Sequence, residues 1–392
     1  MINNCKAVEI AKNIFWVGAV DWNLRNFHGY ETSRGTTYNA YLILDEKVTL
    51  IDTAKIDFAD EFISRISSVI SPEKIDVIIS SHVEPDHSGS LKKIAELAPN
   101  AEIFTTNPNG LKGLTARYGN LNYKTVKAGD KISVGERSLH FVPTPMLHWP
   151  DSMVTYCPEE KILFSNDAFG EHLATSMRFD DENNLDVILA EAKKYYANIL
   201  MPYGKQAQIA LKALGDLEIR MIATGHGVIW RKNISKIIDC YKFWSSDELE
   251  NRACVVFDSM WHSTEIIAQT ITESFAKKNI PAAYYDLKFT PLSDIVTDVF
   301  KSKYLIVGSP TINSQMMPTV AKFLSYLKGL QPLKHRGFAF GSFGWSGQSI
   351  QFVEDELKEI GVEIIFDKVR LSNVPTIEQL DKLEKELLDL EI

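Results

Sequence analysis

The sequence predicts an α/β protein made of two unlike halves, an α/β sandwich over residues 1–249 and a doubly wound parallel sheet over residues 252–392. Three observations lead there. At 392 residues the chain is too long for one ordinary domain. Its first half alternates short strand-like runs with helical patterns in a mixed way, as layered sheets with helices between them do. Its second half carries near-continuous apolar runs separated by helix-length segments, the pattern of strands buried on both faces.

In chain order, the strand candidates of the first half are Tyr38–Leu44, Val48–Ile51, Val77–Ser80, Leu139–Val142, Met153–Tyr156 and Ile162–Phe164. The polar stretch Ser245–Arg252 then reads as the boundary. Beyond it come Ala253–Phe257, Ala283–Leu287, Tyr304–Val307, Gly337–Phe340 and Val362–Phe366. The last helix opens on Thr376 and Gln379, a capping-box pair, and carries Leu380, Leu383 and Leu387 on one core-facing stripe.

Composition narrows the function. Hydrophobic residues make up 45% of the chain, enough to build two cores without metal or disulfide staples. A formal charge of -9 argues against nucleic acid as a partner. No apolar run approaches membrane-spanning length, and the N-terminus, Met1–Lys6, lacks the apolar region of a signal peptide. The four cysteines (Cys5, Cys157, Cys240, Cys254) form no CxxC pair, so a thiolate zinc knuckle, an iron–sulfur cluster or a rubredoxin-type centre within the chain is not expected. Dispersed thiols fit a reducing cytoplasm.

The densest chemistry lies in Ser80-Ser81-His82-Val83-Glu84-Pro85-Asp86-His87-Ser88-Gly89, just after the strand candidate Val77–Ser80 begins. Four ligand-type side chains fall within six residues, and Pro85 and Gly89 keep the loop irregular. Three later positions also follow strand candidates: His148, Asp167 and His226. A single His or Asp after a strand is ordinarily a turn residue. Strand ends gathered at one edge of a sandwich can nevertheless bring all seven groups together.

Three loops of the second half point to a phosphate-bearing planar ligand. The first, Ser259-Met260-Trp261-His262-Ser263-Thr264, joins a strand to a helix and offers hydroxyls, loop amides and a helix N-terminus to a phosphate monoester. It lacks the GKT of a nucleoside-triphosphate loop. The second is Ser309-Pro310-Thr311-Ile312-Asn313, and the third runs from Ser342 through Phe343, Gly344 and Trp345 to Gly347. Small residues admit a flat ring close to the backbone, and Trp261 and Trp345 can flank it.

The order HxExDH…H…D…H resembles the metallo-β-lactamase fold and, within it, the flavodiiron protein family; the second half resembles a flavodoxin module. The resemblance spans essentially the whole chain and implies an N-terminal αββα sandwich followed by a flavodoxin-like sheet. Hydrolytic zinc members typically open with HxHxDH, whereas here Glu84 replaces the second histidine. The added carboxylate hardens the site toward iron or manganese. His262 departs from the commonest flavodoxin loop, where a glycine often precedes the Ser/Thr pair.

By that resemblance, His82, Glu84 and His148 would ligate one iron, Asp86, His87 and His226 a second, with Asp167 bridging, and FMN would occupy the three loops. The implied activity is reduction of O2 to water or of NO to N2O, with electrons relayed through FMN. His28 and Tyr195 are the candidate proton donors. Electrons would come from a separate carrier, rubredoxin or reduced F420. A head-to-tail homodimer or a dimer of dimers would set the flavin of one subunit beside the metals of the other. Two rival classes remain: a dizinc hydrolase with a flavodoxin appendage, which metal analysis and a thioesterase assay would identify, and a flavodoxin-type electron-transfer module.

Overall fold

The computed structural model describes residues 5–391. Met1–Asn4, the start of the segment read above as lacking a signal peptide, lie outside the described residues. No helix among the described residues is long and apolar enough to cross a membrane. The chain divides into two compact units. One holds the residues up to Tyr195 together with Tyr203–Ser245; the other holds Tyr196–Pro202 and the chain from Ser246 onward.

Two large sheets, with two small two-stranded ones beside them, build the first unit. The larger contains β1 (Val8–Ala11), β2 (Ile14–Trp16), β3 (Tyr41–Ile43), β4 (Thr49–Ile51), β5 (Val77–Ile79), β6 (Glu102–Thr106) and β7 (Tyr123–Val126), side by side in that order. The smaller contains β8 (Lys131–Ser133), β9 (Ser138–Pro143), β10 (Met153–Cys157), β11 (Ile162–Asn166) and β12 (Met221–Thr224), again in order. The two-residue period of strands sorts the apolar residues. Tyr41, Ile43, Ile51, Val77 and Ile79 pack with Phe141, Met153, Phe164 and Ala223 of the smaller sheet. Their alternates Leu42, Leu50 and Ile78 pack with Phe62 and Ile66 of helix Ala59–Ser67 and with Leu91 and Ile94 of helix Leu91–Leu97.

Register places the loops. Ile51 pairs with Ile79 and Ile79 with Phe104, all in parallel, so the segments leaving β4, β5 and β6 emerge at one edge. Phe164 pairs with Ala223, also in parallel, so Asp167 and His226 follow strand ends that lie side by side.

Differences from the sequence expectation have local causes. Tyr38–Leu44 is two strands, because Thr36–Tyr38 pairs with Ala19–Asp21 while β3 joins the large sheet. Between them, Asn39 accepts a hydrogen bond from the Trp16 indole at 2.7 Å. The strands β7 and β8 are not apparent from sequence. Each is the edge of its sheet and exposes polar side chains, Lys124 and Thr125 in one and Lys131 and Ser133 in the other.

The second unit is a parallel sheet of β13 (Glu250–Phe257), β14 (Ala282–Asp286), β15 (Ser302–Gly308), β16 (Arg336–Phe343) and β17 (Glu363–Ile364), ordered β14-β13-β15-β16-β17. A further strand, β18 (Val369–Ser372), also pairs with β16. The run Val362–Phe366 therefore contributes only two paired residues, and the chain pairs again at Val369. At its start, β13 reaches back into the polar boundary, where Glu250 pairs with Ser302. The capping box of helix Ile377–Asp389 forms as its sequence predicts, with Thr376 Oγ1 accepting from the Gln379 amide and Gln379 Oε1 from the Thr376 amide. Leu383 and Leu387 of that helix join the core.

Candidate functional site

The loop leaving β5 makes one helical turn, Pro85–Ser88, with Pro85 at the first position, where no amide donor is needed. Ser88 ties the turn down by donating to the Val83 carbonyl at 2.8 Å. Two glycines at the neighbouring strand end are required by contact. A Cβ at Gly225 would meet the His87 ring at 2.8 Å, and one at Gly227, whose φ is +74°, would meet the Glu171 carboxylate.

Seven side chains converge in two groups. His82, Glu84, His148 and Asp167 form one, and Asp86, His87 and His226 the other. His148 Nε2 lies 3.3 Å from Glu84 Oε2 and 3.5 Å from Asp167 Oδ2. His82 Nε2 lies 3.2 Å from the same Glu84 oxygen. On the other side, His226 Nε2 lies 3.2 Å from Asp86 Oδ2, and His87 Nε2 lies 2.9 Å from Asp167 Oδ1. Asp167 thus turns one oxygen toward each group.

The outer contacts fix the imidazoles. His82 donates from Nδ1 to Asp151 Oδ2 at 2.9 Å, and the same oxygen accepts from the Val83 amide at 2.7 Å. His226 donates from Nδ1 to the Thr37 carbonyl at 2.6 Å. With Nδ1 as the donor in both rings, Nε2 is the nitrogen that faces the centre, as a metal ligand requires.

These residues fit a pair of metal ions. Both oxygens of Asp86, both of Asp167 and both nitrogens of His87 are buried without a hydrogen-bond partner, a costly arrangement unless a cation completes it. Burial alone would lower the imidazoles of His82, His87 and His148. The hydrogen bonds and charges of Asp151, Glu84, Asp86 and Asp167 overcome it and hold all three at about 10. Burial would likewise raise Glu84, Asp86 and Asp167, yet the facing imidazoles keep all three carboxyls below their ordinary range. Such a pocket lacks positive charge, which metal cations can supply in place of protons.

Of the two candidate proton donors, His28 lies on the hairpin Asn26–Glu31 with its Nε2 3.0 Å from Glu84 Oε1, and its side chain is largely exposed. Leu24, Phe27, His28, Glu84, Asp86 and Trp149 line part of an opening of about 420 Å³. Tyr195 is buried, its ring 6.1 Å from that of His226, and burial together with Asp167 holds its hydroxyl well above the ordinary phenol range. Sequence reasoning missed Asp151 and also His172, a fully buried imidazole 4.9 Å from the His226 ring whose Nδ1 meets Thr36 Oγ1 at 2.8 Å. Asp151 stands three residues after His148 in a loop already singled out, which was the available signal. His172 follows no strand candidate.

In the second unit, two cavities of about 250 and 370 Å³ are lined by the three predicted loops. Met260, Trp261, Thr311 and Gly344 line both. Ser263, Pro310, Ser342 and Phe343 line the smaller, and Ile312, Asn313 and Trp345 the larger. The remaining predicted residues stand behind these walls or beside them. Thr264 shares a hydrogen bond of 2.8 Å with Ser342, and Thr311 shares one of 2.7 Å with Ser349. Ser309 accepts from the Met317 amide, and Gly347 lets Phe343 and Arg370 approach. His262 takes the left-handed conformation at φ +64° and pairs with Glu265 at 2.6 Å. The Ser259 hydroxyl is buried without a partner, which fits a missing phosphate oxygen. Asn373 and Val374, just after β18, also line the smaller cavity and were not predicted.

Trp261 and Trp345 are 84% and 93% exposed at the tips of their loops, so both remain available to a planar ring or a partner surface.

Comparison with known proteins agrees with this geometry. The model of the ODP family beta lactamase matches residues 36–227, and the flavodoxin model matches residues 255–386. The nitric oxide reductase of Moorella thermoacetica is 42% identical over 364 residues, 91% of each chain. The structure of rubredoxin oxygen:oxidoreductase from Desulfovibrio gigas is 38% identical, superposes with a TM-score of 0.95 and is covered over 98% of both chains. The flavodiiron protein of Giardia intestinalis is 34% identical with a TM-score of 0.95, over 99% of this chain and 96% of its own. With a metallo-β-lactamase-like unit and a flavodoxin unit in this order and at these identities, the chain belongs to the flavodiiron protein family.

Proposed function

We propose that this protein is an oxidoreductase that reduces dioxygen to water or nitric oxide to nitrous oxide. A non-haem diiron centre would do the chemistry, with FMN relaying electrons from an external donor. The observation that carries the reading is Asp167, whose two oxygens face the two separate ligand groups. His82, Glu84 and His148 would hold one metal and Asp86, His87 and His226 the other, with Asp167 offering an oxygen to each. The FMN lies in the loops Ser259–Thr264, Ser309–Asn313 and Ser342–Gly347. The working domains are residues 1–249 and 252–392.

The iron pair and flavin together supply the electrons. Dioxygen takes four electrons and four protons to two waters; two nitric oxide molecules take two electrons and two protons to one N2O and one water. The chain's own groups do the rest. His28, bonded to Glu84 at the opening, and Tyr195, kept neutral by burial, hold protons close to the metals. Leu24, Phe27 and Trp149 give the opening apolar walls suited to small neutral gases.

Electrons arrive from rubredoxin, as in the relative named for it, or from reduced F420. A head-to-tail homodimer, alone or paired into a dimer of dimers, brings each flavin to the partner's metals, and the exposed Trp261 and Trp345 are the surfaces expected to be covered. With dispersed, reduced thiols, the protein works in the cytoplasm.

The test is anaerobic reduction of iron- and FMN-replete protein, followed by stopped-flow mixing with oxygen or with nitric oxide under matched conditions. Reoxidation within milliseconds to seconds with water or N2O as product is expected. Two bound zinc ions with thioesterase activity and no gas consumption would overturn the reading.

A further inference from the structure

The phosphate loop Ser259–Thr264 contains no lysine or arginine, although an FMN phosphate carries a charge of about −1.5 to −2. Its surroundings are acidic. Asp258, 1% exposed, precedes the loop, and its Oδ1 accepts no hydrogen bond; Asp286 ends β14; and Glu265, one residue past the loop, pairs with His262. Three carboxylates thus flank the loop, and none of them offers a phosphate dianion positive charge.

One cation reaches in from a separate segment. Lys288, two residues beyond the end of β14, donates from Nζ to the Ser259 carbonyl at 2.5 Å. The same ammonium lies 3.4 Å from Asp286 Oδ2 and 3.8 Å from Asp258 Oδ1. The Asp258 carboxylate is held on its other oxygen by Thr319. Lys288 therefore stands between the loop and two of its carboxylates. Its hold on Ser259 has a second effect. A trans peptide is planar, so a carbonyl drawn toward Lys288 turns the following N–H, that of Met260, in the opposite direction. Met260 lines both flavin cavities.

We propose that Lys288 is a positioning residue that makes the cradle selective for a phosphorylated flavin, by orienting the Ser259–Met260 peptide and by offsetting the carboxylates behind the loop. The inference rests on the flavin reading above and adds to it a residue outside all three loops. It predicts that Lys288 discriminates FMN from riboflavin, which has the same ring and ribityl chain without the phosphate.

The test strips flavin from the full-length, metal-loaded protein and titrates FMN or riboflavin back at several salt concentrations, following flavin fluorescence. Lys288→Met is expected to raise the FMN dissociation constant about tenfold and that of riboflavin less than about twofold. The FMN loss should shrink as salt rises, because a charge contribution is screened. Lys288→Arg, which keeps the cation, should stay within about threefold of the native affinity. Equal losses for both flavins, an unchanged FMN constant, or a loss independent of salt would each overturn the proposal. Should riboflavin bind neither protein measurably, the salt dependence decides. A native protein that takes up no FMN overturns the flavin reading itself, and this role with it.

Discussion

Asp167 presents Oδ1 to His87 at 2.9 Å and Oδ2 to His148 at 3.5 Å, so a single buried carboxylate spans the gap between two otherwise separate ligand groups. Apart from the facing imidazoles, neither oxygen has a hydrogen-bond partner. Asp167→Ala should therefore cost both metals, not one. Iron per chain is expected to fall from about two to well below one, since buried ligands around an incomplete site hold metal poorly. FMN content should remain at one per chain. Metal and flavin analysis of the purified variant checks this, and loss of flavin with retained iron would contradict the assignment of the two sites.

Glu84 faces the imidazoles of His82 and His148 with one oxygen and that of His28 with the other. Replacing it with histidine removes a hard anionic ligand and adds a borderline nitrogen. Glu84→His should shift metal preference toward zinc, read as the zinc-to-iron ratio after loading from an equimolar mixture. An unchanged ratio would reject the argument from ligand hardness.

Asp151 belongs to neither candidate ligand group, yet a single oxygen accepts from both the His82 ring and the Val83 amide. Asp151→Ala frees the ring to rotate and leaves a buried amide unpaired. Iron affinity is expected to fall about 10- to 100-fold, the usual range for an orienting partner. Asp151→Asn should be milder, because an amide oxygen in the same place can still accept both bonds and only the charge is lost. Competition with a chelator gives the affinities.

His335 is fully buried in the second unit, donating from Nδ1 to the Ser302 carbonyl at 2.6 Å. Burial, aided by Lys301, pulls its imidazole down from 6.5 to about 4. The unfolded chain binds this proton more readily than the folded one, so the stability the neutral ring provides is present above about pH 6.5 and is lost as pH falls toward 4. Between pH 7 and pH 5 the loss amounts to about 2 kcal/mol. His335→Asn, which keeps a donor but does not titrate, should remove that part of the slope. Urea unfolding of both proteins at the two pH values measures it, and parallel slopes would refute the prediction.

The candidate metal ligands are legible because their chemistry is concentrated: four ligand-type side chains in six residues, then single His and Asp residues at strand ends that parallel register brings together. What sequence could not supply was partnership at a distance. Asp151 is one more aspartate in a loop until its oxygen is seen against His82, and His172 is an ordinary histidine until it is found in contact with His226. The same limit applies to architecture. Segment Tyr196–Pro202 lies within the first half of the chain but belongs to the second compact unit, where Tyr196 stacks on Phe300 and Asn198 bonds the Ser293 carbonyl. Linear composition carries no trace of that exchange. The edge strands β7 and β8 were hidden for a different reason, since solvent-facing positions tolerate polar residues that erase the strand signal.

The hydroxyl pair Thr264–Ser342 ties the first flavin loop to the third, and the pair Thr311–Ser349 ties the second to the helix Gln348–Ile360 that follows the third. The walls of the cradle are thus held to one another and to the sheet's own helices by protein atoms, so a flavin docking there has little chain ordering to repay.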